Sequence, residues 1–256
     1  MKKYISLTVL LMNTVTLFAQ KWELQMGDSI WNNPEDNLPN IQVISIIDDT
    51  MYISGAFRYP CPGYIAKRNN FRWTCMGTGL YGGVAQVISK YQNKILVGGL
   101  FLTAGNLNPW TSGSAYWDGV NWTYTGFQVG HPSDFYPTDT LLFIATSGDG
   151  NTIKTWDGTT LLDGTTGTGC PYSYAGGTLT ETINKYNDTL YAGSENYLYK
   201  YLGNRCWKKI TYGPYFIHDL ESDSINNLLY VGGGFGNIYG NIFSLGIGMF
   251  DGFIWH

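Results

Sequence analysis

The chain has 256 residues, of which 16% are aromatic and only 13% charged, with 33 glycines, nine tryptophans and a formal net charge of −4. An average soluble domain carries roughly 7% Gly and about 25% charged residues. The profile excludes disorder, which needs high charge and few aromatics, and a helical bundle, which would be rich in Ala, Glu, Lys and Leu.

Residues 1–19 read as a secretory signal peptide: Met1-Lys2-Lys3, an apolar run from Tyr4 to Phe18, then the small residue Ala19. The apolar run is too short and too interrupted for a membrane span, and no other segment is long enough. The mature protein is therefore expected to be secreted, periplasmic or on the cell surface, without a transmembrane segment. Without Lys2 and Lys3 the balance is 13 basic against 19 acidic residues, a charge of −6. The basic residues are scattered, which sets aside nucleic acid as a partner.

Short aromatic and β-branched runs separated by Gly, Asn, Asp and Thr predict an all-β protein with many tight turns. The same sentence repeats along the chain. Met51-Tyr52-Ile53-Ser54-Gly55-Ala56-Phe57 recurs as Ile95-Leu96-Val97-Gly98-Gly99-Leu100-Phe101, as Leu190-Tyr191-Ala192-Gly193 and as Leu229-Tyr230-Val231-Gly232-Gly233. A degenerate copy is Leu142-Phe143-Ile144-Ala145, and the intervals between copies are 44, 47, 48 and 39 residues. A second signature follows each copy, clearest as Trp117-Asp118-Gly119-Val120-Asn121-Trp122. Asp-Gly tolerates positive φ and closes tight hairpins, so the flanking aromatics fall on neighbouring strands and pack across them.

About four short strands per roughly 45 residues is the content of one propeller blade. The expected fold is an all-β propeller of five four-stranded blades, with repeats at about 41–82, 83–131, 132–177, 178–214 and 215–256. Residues 20–40 are expected to supply an N-terminal closing strand and lead-in. Lys21-Trp22-Glu23-Leu24-Gln25-Met26-Gly27 matches the last strand of a unit, and the fifth unit stops at Trp255-His256 where that strand would begin.

Cys61, Cys75, Cys170 and Cys206 allow three disulfide connectivities, and proximity in sequence favours 61–75 and 170–206. Their spacing matches no metal pattern, and neither a metal nor a cofactor is expected.

The stretch from Leu96 to Gly126, with Gly98, Gly99, Phe101, Ala104, Gly105, Ala115, Trp117, Asp118, Gly119 and Trp122, resembles repeats of exported bacterial cell-surface β-propellers. These are loosely similar to kelch repeats and to the propeller domain of galactose-oxidase-like proteins. The resemblance implies fold more than activity. Galactose-oxidase-like chemistry would need a copper ligand set that His131, His218 and His256 do not supply. His131, Ser133 and Asp134 are too close in sequence for a catalytic triad, which converges from separate segments.

A glycosidase would use paired carboxylates over the central channel, with Asp48, Glu181, Asp219 and Glu221 as candidates. Asp48 falls in a turn, however, and Asp219 and Glu221 share one face of one strand; with Asp223 they could hold a calcium ion through oxygen ligands, though a solvated acidic edge is the favoured reading. Five aromatics stand outside the repeat grammar on predicted loops: Trp31, Trp110, Tyr172, Tyr174 and Tyr215. Loop aromatics over a rigid scaffold suit a binding face, including stacking against sugars. The reading is a non-catalytic binding or adhesion module for a glycan or protein ligand. A carbohydrate-active enzyme and a structural cell-surface component are the alternatives.

Overall fold

A computed structural model describes residues 40–57, 61, 63–69, 72–107, 111, 113–147, 152–172, 179–195, 197–212, 216–238 and 242–256. The predicted signal peptide and closing strand lie outside the described residues. The fold is the expected five-bladed β-propeller. Blade 1 is β1 (Asn40–Ile47), β2 (Thr50–Ala56), β3 (Ile65–Asn69) and β4 (Arg72–Cys75). A short pair follows, β5 (Leu80–Tyr81) with β8 (Thr103–Ala104). Blade 2 is β6 (Val84–Tyr91), β7 (Lys94–Leu100), β9 (Ser114–Trp117) and β10 (Trp122–Thr123).

Blade 3 is β11 (Pro132–Pro137), β12 (Leu142–Thr146), β13 (Ile153–Trp156) and β14 (Leu161–Asp163). Blade 4 is β15 (Thr180–Tyr186), β16 (Thr189–Ser194), β17 (Tyr197–Gly203) and β18 (Cys206–Tyr212). Blade 5 has β19 (Ile217–Asp223), β20 (Leu228–Gly233) and β23 (Ile247–Phe250), with a small pair of β21 (Asn237–Ile238) and β22 (Ile242–Phe243) beside it. A bridge from Phe250 to Trp255 stands at the place of its fourth strand.

Turn chemistry sets the blade register. Asp48-Asp49, Gln92-Asn93 and Asn187-Asp188 all hold positive φ, between 46° and 60°, the pattern of two-residue hairpins. In the second signature, Asp118 Oδ1 accepts the Val120 and Asn121 N–H groups, and Asp157 and Asp251 do the same in their blades. These bonds hold the Asp118 and Asp157 carboxyls below the ordinary range and Asp251 at about 2. The aromatic pair across this turn repeats too: ring centroids are 5.2 Å apart for Trp117–Trp122, 4.9 Å for Tyr201–Trp207 and 5.1 Å for Phe250–Trp255.

The cores lie between blades. One repeat position faces the preceding blade throughout: Ile88, Phe135, Ile183 and Leu220 are 4%, 4%, 3% and 1% exposed. Its blade 1 equivalent, Ile44, is 49% exposed. Tryptophans on the fourth strands also tie blades together. Trp122 Nε1 donates to Met76 O at 2.7 Å, and Trp207 Nε1 donates to Gly164 O at 3.0 Å, each on the preceding blade. Trp73 and Trp255 hold the same register, yet their buried Nε1 atoms have no acceptor.

Asp134 joins blades 3 and 4. Its Oδ2 accepts Ile183 N–H at 2.7 Å, and its Oδ1 accepts Phe135 N–H. Burial nevertheless pushes its carboxyl up to about 6, because those bonds only partly offset desolvation. The folded state therefore takes up a proton that the unfolded chain, titrating near the ordinary 3.8, does not hold. The stability it contributes is complete below about pH 4 and is lost as pH rises through 6, at most roughly 3 kcal/mol. Asp134→Asn is expected to flatten this part of the stability profile, measured by urea unfolding between pH 4 and 8.

The disulfides Cys61–Cys75 and Cys170–Cys206 form as proximity in sequence suggested. They are compatible with an oxidising compartment. No helix among the described residues is long and apolar enough to cross a membrane.

Candidate functional site at the channel mouth

Each first strand carries a β-bulge at the same register, between Ile41 and Val43, Ala85 and Val87, Pro132 and Asp134, Thr180 and Thr182, and Ile217 and Asp219. A bulge leaves one residue without a cross-strand partner and re-aims its side chain. The five bulged residues are Gln42, Gln86, Ser133, Glu181 and His218. First strands are the innermost of a propeller, so these residues encircle one mouth of the central channel. Two places after the bulge the residue is always apolar (Ile44, Ile88, Phe135, Ile183 and Leu220), and in blades 2 to 5 it is buried between blades. The bulged position carries glutamine in blades 1 and 2 and then serine, glutamate and histidine, and all five residues are polar.

The ring has distinct electrostatics. Burial raises the Glu181 carboxyl above its ordinary range; His218 opposes that shift, and Glu195 adds to it. Consecutive bulge residues of blades 4 and 5 thus act on one another. Gln86 Oε1 is buried with no donor, an acceptor left unspent at a cost that asks for a reason. Ser133 Oγ donates to Thr180 O at 2.7 Å and ties two neighbouring bulges.

Beside His218, Phe216 forms an aromatic rim, with rings stacked at 6.4 Å and 17°. Phe216 is 47% exposed and sits at φ 59°, a costly conformation for a bulky residue. Its N–H donates to Glu195 O and its carbonyl accepts Gly234 N–H, which hold it there.

Of the residues singled out in the sequence, Glu181 joins this ring. Asp48 lies at the opposite end of its strand, 2.5 Å from Lys90 Nζ. Asp219 holds the register of Asp134 and caps its own strand through Leu220 N–H. Glu221 accepts Asn184 Nδ2 at the seam between blades 4 and 5. The glycosidase candidates therefore do not converge, and the charges acting on Glu181 are His218 and Glu195. Tyr172 is exposed on the outer edge, with Lys208 Nζ 5.7 Å from its ring centroid, near the Cys170–Cys206 bridge. Trp31, Trp110, Tyr174 and Tyr215 lie outside the described residues.

Gln42, Gln86, Ser133, His218 and Phe216 escaped the sequence reading as ring members. The available signal was the polar residue two places before each seam-facing apolar residue, glutamine in blades 1 and 2 and different in each of the other three. No group of three or more His, Cys, Asp or Glu among the described residues could hold a metal ion.

No known family matches the sequence, and no curated protein matches it. Among solved structures, the chain is similar to the extracellular domain of BT4673 from B. thetaiotaomicron at 12% identity and a TM-score of 0.57. The match covers 90% of this chain and 29% of that one. YCF48 bound to the D1 peptide is similar at 14% identity and a TM-score of 0.54, over 88% of this chain and 68% of that chain. The Pan2 WD40 domain from Neurospora crassa matches at 11% identity and a TM-score of 0.50, over 86% and 66%. The chain thus spans less than a third of the BT4673 domain and about two thirds of the other two. At such identities the likeness concerns the fold: this is a β-propeller.

Proposed function

We propose that the chain is an exported, non-catalytic binding or adhesion module that receives a protein ligand at the channel mouth. The observation that carries this reading is the ring of five polar bulge residues, with the Gln86 acceptor unspent and a partly buried carboxylate at Glu181. Those acceptors suit N–H donors, so the preferred ligand segment is a peptide loop carrying a Lys or Arg side chain, with Phe216 as an apolar rim contact. A propeller neighbour, YCF48, is known bound to a peptide, which supports a peptide over other polymers. The two disulfides support the exported setting.

Fluorescence anisotropy against a library of short peptides tests the reading. Binders are expected to be enriched in Lys and Arg, and Glu181→Gln is expected to weaken them by at least about tenfold, as loss of one partner of a desolvated charge pair does. Binders without basic residues, or indifferent to Glu181→Gln, would sink it. A parallel hydrolysis screen against glycosides checks the non-catalytic part: turnover abolished by Glu181→Gln or Asp219→Asn would overturn it. Regular self-association without any ligand would favour a structural surface component instead.

A further inference from the structure

At the end of the strands opposite the bulge ring, the seams between blades are not alike. Between blades 1 and 2, Lys90 reaches across to Asp48 of the preceding blade's turn and closes the seam. Lys185 and Asp139 hold the equivalent positions between blades 3 and 4. There Lys185 Nζ lies 2.8 Å from Asp188 Oδ1 of its own turn instead. The seam stays open as a cavity of about 620 Å³, within the range of roughly 300–1,000 Å³ typical of small-molecule sites.

Two departures from the repeat make its walls aromatic. Tyr136 stands where blades 1, 2 and 4 carry the small polar residues Ser45, Ser89 and Asn184 and blade 5 carries Glu221. Tyr201 holds the register of Trp117, Trp156 and Phe250, which are 4%, 6% and 2% exposed, but it remains partly exposed along the cavity. Its ring is braced by Phe143, edge-on at 5.2 Å, and by Trp207. Asp139, Asp188 and Lys185 are the charged residues of the lining.

We propose that this groove is a second binding site, independent of the channel mouth, and that its ligand is a neutral hexopyranose unit of a glycan. Tyrosine rings offer a flat apolar face for the C–H side of a sugar ring. Carboxylate oxygens accept from sugar hydroxyls, and a lysine ammonium donates to them. Two carboxylates against one ammonium leave a net negative lining, which selects against uronic acids and sulfated sugars.

Saturation-transfer NMR with the methyl pyranosides of D-glucose, D-galactose and D-mannose tests this. At least one is expected to bind saturably at about millimolar strength, with D-glucuronate weaker. Tyr136→Ser, which installs the residue that blades 1 and 2 carry, and Asp139→Ala, at an exposed position, are each expected to weaken binding about tenfold or more. Circular dichroism and thermal melts of both variants should match the parent. Glu181→Gln is expected to leave sugar binding unchanged, which separates this site from the channel mouth. Absence of binding by all three pyranosides, binding unmoved by both groove variants, or tighter binding of glucuronate would each overturn the proposal.

Discussion

Trp207→Ala is expected to lower the stability of the propeller by about 3–5 kcal/mol, the range for truncating a large buried aromatic. Trp207 is 1% exposed, packs against Phe143 and Tyr201, and donates its indole N–H to Gly164 O of the neighbouring blade. One substitution therefore removes packing within blade 4 and the link to blade 3. In a thermal melt the loss corresponds to a fall on the order of 10 °C for a chain of this size. Trp207→Phe keeps most of the packing and strands the Gly164 carbonyl, so a smaller cost of about 1–3 kcal/mol is expected. Trp73→Phe provides the contrast: its Nε1 has no acceptor to lose, so the change should be close to neutral apart from packing. Equal effects at Trp73 and Trp207 would contradict the role given to the inter-blade bond.

Opening the Cys170–Cys206 bridge by paired serine substitution is expected to cost about 4 kcal/mol on the chain-entropy relation for a loop of this length. The loop spans 36 residues and links the segment after β14 of blade 3 to the start of β18 in blade 4. The Cys61–Cys75 bridge closes only 14 residues within blade 1 and should cost about 3 kcal/mol. Urea unfolding of the two double variants, compared at equal m-value, checks both the size and the order. A larger loss from the shorter loop would show that loop closure does not govern these bridges.

The architecture was legible because its determinants are local. Trp117-Asp118-Gly119 encodes a capped turn, and Asn187-Asp188 a two-residue hairpin; both depend on only a few neighbouring residues. The paired cysteines followed from proximity along the chain. The candidate site was much less legible. Glu181 was visible as an acidic residue on an inner strand, but its grouping with His218 depends on a bulge in each of two blades. A bulge is a property of strand pairing, and the sequence of one strand does not display it. Asp219 looked equally eligible, yet the register turns it toward the blade seam rather than the channel. The groove at Tyr136 and Tyr201 was hidden for a related reason. Tyr201 sits where the repeat places a packing aromatic, and only the neighbouring blade determines how much of it stays in contact with solvent.

The exposed Ile44 and the indole of Trp73 give the propeller a polarity that a ring of equivalent blades would lack. The seams on either side of blades 2, 3 and 4 each bury an apolar side chain from the following blade; the face of blade 1 that looks away from blade 2 leaves Ile44 half in water. Amide hydrogens of β1 are therefore expected to exchange faster than those of β6, β11, β15 and β19, as hydrogen exchange followed by mass spectrometry would read. The Tyr136–Tyr201 groove lies at a packed seam between blades 3 and 4, whereas the ring at the channel mouth runs on through blade 5 to blade 1, where His218 and Gln42 stand.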